Sequence, residues 1–106
     1  METLSEPGMD EMATIYSLDV DGIALTHYCP TNNQPRMRAV PASGDVKMLV
    51  FSFTGAGNLP NPSIGHEWRL VLTFDDSNHI TEAWTWRSGG KDTVHVFHFR
   101  RVAANR

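Results

Sequence analysis

A single cysteine, Cys29, stands in this sequence, so no internal disulfide can staple the chain. Small secreted scaffolds normally carry an even set of cysteines, and a reducing, cytoplasmic setting is therefore expected. Basic residues are also few. Nine lysines and arginines face twelve acidic residues, for a net charge of −3. That balance supplies no positive field for nucleic acid or for an anionic membrane surface. No run approaches the roughly 18 consecutive apolar residues of a membrane span. The opening METLSEPGMDEM is acidic, whereas a secretion signal is basic and then apolar. No segment sustains a helical period. No low-complexity tail or linker divides the chain, and 106 residues are too few for two cores, so residues 1–106 are expected to form one domain.

What is there instead is alternation. Met12, Thr14, Tyr16 and Leu18 alternate with Ala13, Ile15 and Ser17, and DVDG at 19–22 signals a tight turn. A strand from Ile23 follows, and Ile23, Leu25, His27 and Cys29 share one of its faces. PTNN turns the chain into a short extended piece, Arg36 to Val40, bracketed by Pro35 and Pro41. ASGD turns it again into Val46–Phe53, where Leu49, Phe51 and Phe53 lie together. Three glycines and two prolines in TGAGNLPNPSIGH predict an irregular stretch over 54–66. Strands then resume at Glu67–Phe74, Ile80–Arg87 and Thr93–Arg101, separated by DDSNH and SGGKD. In these, Trp68, Leu70, Leu72 and Phe74 share one face, as do Ile80, Glu82, Trp84 and Trp86, and as do Phe97 and Phe99. Short strands joined by hairpin turns predict an all-β, antiparallel up-and-down meander curled into a barrel. A sandwich with Greek-key crossovers needs longer connections than most of these.

The strings YSLDVDGIALTHYC…NQPRMRA, HEWRLVLTFDDSNHITEAWTWRSGGK and VFHFRRV resemble bacterial calycin-like proteins of unknown function, which are small lipocalin-like barrels. The segment LTHYC…NQPRMR is the distinctive part, and the resemblance covers essentially the whole chain. It implies a lipocalin-like barrel with an internal cavity and leaves the chemistry open. Family members carry further strands before the point matching METL, so the resemblance implies a barrel or half-barrel completed by a second subunit, that is, a homodimer.

His27 and Cys29 on one inward face suit three roles: lining a ligand cavity, holding a metal, or forming a thiolate–imidazole nucleophile. The plainer alternative is a hydrogen-bonded interior histidine beside an inert thiol. Metal is disfavoured, because His95 and His98 are three apart on a strand and point to opposite faces, and no paired-ligand spacing occurs. No cofactor is expected. Glu82, between Ile80 and Trp84, is expected to be desolvated and to need an interior partner, for which Arg36, Arg38 and His27 are candidates; alternatively it reaches water at a shallow rim. The ligand-site expectation is therefore His27, Cys29, Arg36, Glu82 and Trp84, with Trp86 as a wall, around a small and largely apolar molecule. Two alternatives stand beside it: a small enzyme using Glu82 or His27 as acid–base, and an interaction module with no cavity.

Overall fold

The computed structural model describes residues 2–4, 12–41 and 46–102. Its strands are β1 (Glu2–Leu4), β2 (Met12–Asp19), β3 (Gly22–Tyr28), β4 (Gln34–Ala39), β5 (Met48–Gly57), β6 (His66–Phe74), β7 (His79–Ser88) and β8 (Lys91–Arg100). They form one antiparallel sheet in chain order, each strand bonded to its sequence neighbours. This is the meander that the alternation predicts, opened into a half-barrel with β1 and β8 at its edges. The ASGD turn at 42–45 lies outside the described residues. Among the described residues no helix is long and apolar enough to cross a membrane.

Turn chemistry sets the pairing. Ser88 pairs with Lys91 across Gly89 and Gly90, whose φ angles are 57° and 77°. Two successive positive-φ residues match the twist of the flanking strands, and glycine adopts them without a Cβ penalty. At the β6–β7 turn the Asp76 carboxylate accepts a hydrogen bond from the Asn78 amide at 2.7 Å and contacts His79 Nδ1 at 2.8 Å. The β2–β3 turn is clamped from β4. Arg38 donates to the carboxylates of Asp19 at 2.8 Å and Asp21 at 2.5 Å.

The sheet curls strongly. Four strand spacings of a flat sheet would separate β3 from β7 by roughly 19 Å, yet the rings of His27 and Trp84 are 4.7 Å apart. The concave face buries Leu25, Met37, Ala39, Leu49, Phe51, Leu70, Leu72 and Trp84 as one cluster, with Tyr16, Ile23, Val46, Ile80 and Phe97 packed against it. These are the inward residues of each alternation, and burying them is the main favourable contribution to folding.

Three features depart from the sequence reading. β1 pairs with β2 through Glu2–Thr14, Thr3–Ala13 and Leu4–Met12, a strand that no alternation announced. The stretch 54–66 is not wholly irregular: β5 runs on to Gly57, with Gly55, Ala56 and Gly57 paired to Arg36, Pro35 and Gln34. A register shift between Arg36 and Met37 leaves Thr54 over, and its hydroxyl donates to the Arg36 carbonyl at 3.1 Å. Pairing to β4 thus extends a strand that its glycines alone disfavour. The third departure is a bulge in β6, where Glu67 pairs with Trp86 but Arg69 with Thr85, leaving Trp68 over.

Candidate functional site

The β6 bulge decides the chemistry of the concave face. With Leu70 and Leu72 inward, strict alternation sends Glu67 outward. The extra residue reverses that parity, and Glu67 comes to lie opposite Trp86. There it lines a cleft of about 600 Å³ between the open ends of the half-barrel. Met12 of β2, His27 of β3, Cys29 to Thr31 of the following loop, Trp84 and Trp86 of β7, and Val94 to Phe97 of β8 form the rest of its wall. A volume within roughly 300–1,000 Å³, mostly apolar walls and a few polar atoms is the form of a small-molecule site.

His27 is 4% exposed. Its Nδ1 shares a 2.9 Å hydrogen bond with the Thr14 hydroxyl on the paired strand, while Nε2 is buried without a protein partner among the described residues. Burial pushes the imidazole pKa down to about 4, because an imidazolium there would lose its hydration. His27 is therefore neutral at pH 7. Burial acts on Glu67 in the opposite sense of charge, raising its carboxyl to about 7. Its Oε2 is buried and has no partner among the described residues. Neither shift is caused by the other group.

Cys29 lines the same cleft, half-buried, and its sulfur accepts a hydrogen bond from the Thr31 hydroxyl at 3.1 Å. Trp84 is buried and donates from Nε1 to Glu82 Oε1 at 2.8 Å. Glu82, fully buried, is thus hydrogen-bonded to an indole two residues along its own strand and lies behind the cleft rather than in its wall. Trp86 leans on the backbone of Gly65. A methyl group there would run into the indole ring, so glycine is what lets Trp86 stand where it does. The loop bearing Gly65 is tied down by buried Asn33, whose Nδ2 donates to the Gly65 carbonyl at 2.9 Å.

Of the residues expected from sequence, His27, Cys29, Trp84 and Trp86 meet in this cleft. Arg36 does not. Pro35, Met37 and Ala39 take the buried side of β4, and Arg36 is exposed on the other face, its guanidinium lying over Gly55. Arg38 shares that outer face and belongs to the Asp19–Asp21 clamp. Neither arginine reaches Glu82 as an interior counter-ion. Glu67 is the residue that sequence reasoning missed, because its inward turn comes from pairing with β7 and leaves no mark in the local pattern. His95 and His98 fall on opposite faces, opposite Trp84 and Thr81 respectively. Among the described residues no three His, Cys, Asp or Glu side chains gather as metal ligands.

Fold and site together define a class: an open antiparallel half-barrel whose concave face carries an aromatic-walled cleft lined by the Glu67 carboxyl and the buried, neutral His27 imidazole. No family model, curated protein or solved structure matches the chain. The all-strand antiparallel half-barrel is compatible with a barrel-like fold.

Proposed function

We propose that this protein binds a small, largely apolar molecule in the concave cleft, as a calycin-like carrier or sensor does. The observation that carries the reading is the cleft itself: about 600 Å³, walled by Trp84, Trp86, Met12 and Phe97. Apolar walls gain by exchanging water for an apolar ligand, and the few polar atoms orient it. Nile red, a neutral apolar dye, should brighten on binding and quench tryptophan emission. Gly65→Ala should weaken that binding about tenfold, or ~1.4 kcal/mol, because the added methyl displaces Trp86 toward the cleft. Absence of binding by the parent protein of both this dye and smaller aromatic probes would remove this reading.

A second reading, acid–base chemistry on the bound molecule, is favoured by one observation: a carboxyl titrating near pH 7 and an unprotonated imidazole line the same cleft. A general acid or base works best with a pKa close to the ambient pH. In this reading Glu67 takes the role that the sequence suggested for Glu82.

We also propose that two copies associate along β8. This ten-residue strand is an edge of the sheet, and its Val94 and Val96, at the rim of the cleft, are more than half exposed. Unpaired apolar edges recruit further strands, and twofold pairing is the commonest closed solution. Light scattering coupled to gel filtration should give twice the 11.9 kDa chain mass. A monomer at micromolar concentration would exclude the pairing. The lone cysteine fits a reducing, cytoplasmic compartment.

A further inference from the structure

We infer that the cleft is built for an apolar cation, with the Glu67 carboxylate as counter-ion to a protonated amine whose apolar body lies against Trp84 and Trp86; this rests on the ligand-binding reading above. The first support is charge. Among the described residues Glu67 is the one Asp or Glu in the cleft wall, and no lysine or arginine lines it. On β7 the guanidinium of Arg87 is held by the Asp92 carboxylate at 2.8 and 3.0 Å and lies 4.0 Å over the Trp68 ring. Among these described groups an anionic ligand would meet a carboxylate and no lysine or arginine to compensate it. A buried carboxylate without a partner is costly, and an ammonium brought by the ligand removes that cost by supplying the missing charge.

The second support is the set of groups around Glu67. Trp86 faces it from β7, and indole faces attract cations. His27 and Cys29 line the same cleft from the β3 side and His95 from β8. Burial keeps His27 uncharged at pH 7, so it adds no opposing positive charge. In the tautomer that donates from Nδ1 to Thr14, its unpartnered Nε2 is a further acceptor for an ammonium N–H. Acceptors, aromatic faces and one potential negative charge in an apolar cleft suit a primary or secondary amine on a hydrophobic skeleton.

The sign of the pH dependence separates this inference from its neighbours. An amine selects the ionised carboxylate, so its affinity should rise with pH until Glu67 has titrated. A neutral ligand that accepts a hydrogen bond from the protonated acid should lose affinity over the same range. Phenethylamine, phenethyl alcohol and hydrocinnamate share one apolar skeleton and differ in head-group charge, and phenethylamine stays protonated throughout. Calorimetric titration of the intact protein at about pH 8 should find the amine at least ~10-fold tighter than the alcohol, with that affinity falling ~10-fold or more by about pH 5.5.

Glu67→Gln should bring the amine down to the level of the alcohol. Retained alcohol binding by the variant shows that its cleft is intact. In the parent protein, carboxyl-detected NMR should see the Glu67 pKa drop when phenethylamine is added. An alcohol that binds as tightly as the amine, an amine affinity that grows toward acid pH, or hydrocinnamate as the tightest probe would each overturn the amine inference and leave a ligand-binding cleft standing. Failure of all three probes together with Nile red would overturn the ligand-binding reading and this inference with it.

Discussion

Replacing Trp84 by alanine should cost roughly 3–5 kcal/mol of folding stability, a large share of the ~5–15 kcal/mol that a domain of this kind has in total. Three losses coincide at this position. The indole is 4% exposed and sits in the central cluster with Leu70 and Leu72 of the neighbouring strand, so its removal leaves a cavity that the curled sheet cannot easily collapse. The His27 ring, 4.7 Å away, loses the wall it packs against. Glu82 Oε1 loses the indole N–H that donates to it at 2.8 Å, in a place that water does not reach.

Trp84→Phe separates these losses. It keeps an aromatic ring and part of the volume but removes the donor, and should fall between the parent protein and the alanine variant. Val94→Ala, at a more than half-exposed position of the edge strand β8, should stay within about 0.5 kcal/mol of the parent. Urea denaturation monitored by far-UV circular dichroism measures all three. A Trp84→Ala loss no larger than the Val94→Ala loss would mean that Trp84 does not hold the core together.

The alternation that marks Trp84 as interior also marks most of the fold. Ile80, Glu82, Trp84 and Trp86 on β7, and Ile23, Leu25, His27 and Cys29 on β3, could be assigned to one face each because a strand's side-chain period is two. The structure keeps both sets on the concave side. Hairpin turns were equally legible, since SGGKD and DDSNH carry the residues that positive φ or side-chain capping requires. What could not be read is whatever depends on a partner strand. Glu67 faces inward only because β7 pairs with β6 across a bulge at Trp68. β5 continues through Gly57 only because β4 extends alongside it. Arg36 illustrates a different limit. Its composition suggested a counter-ion for Glu82, but Pro35 and Met37 fill the inward side of β4 and leave the guanidinium outside. Candidate site residues on a single regular strand could be located, whereas the acid that gives the cleft its charge depended on register between two strands.

Glu67 and His27 should also leave opposite signatures in the pH dependence of stability, and these become visible only when one of the two is removed. For Glu67 the folded carboxyl titrates at about 7 against a reference of 4.5. Between those values the folded state holds a proton that the unfolded chain has released. Its contribution is fully present below pH 4.5 and is lost as pH rises through 7. For His27 the folded imidazole titrates at about 4 against 6.5. Here the unfolded chain holds the extra proton, so stability is present above pH 6.5 and is lost as pH falls through 4. Over the shared window the two slopes oppose one another, and the parent protein should be nearly flat with respect to these groups.

Glu67→Gln removes one slope. Relative to the parent, its stability should rise by on the order of 3 kcal/mol between about pH 4.5 and 7, since one pKa unit corresponds to ~1.4 kcal/mol. His27→Gln should show the converse, gaining on the parent by a similar amount as pH falls from about 6.5 to 4. Chemical denaturation of the three proteins at half-unit pH steps gives these differences directly, and the exposed aspartate pairs cancel in them because every variant keeps those pairs. A Glu67→Gln difference that stays constant across the window would mean that Glu67 titrates as a solvated carboxylate. The cleft would then hold its negative charge at neutral pH without any ligand, and the alcohol and amine probes would be separated by simple Coulomb attraction, with no proton released from Glu67 when the amine binds.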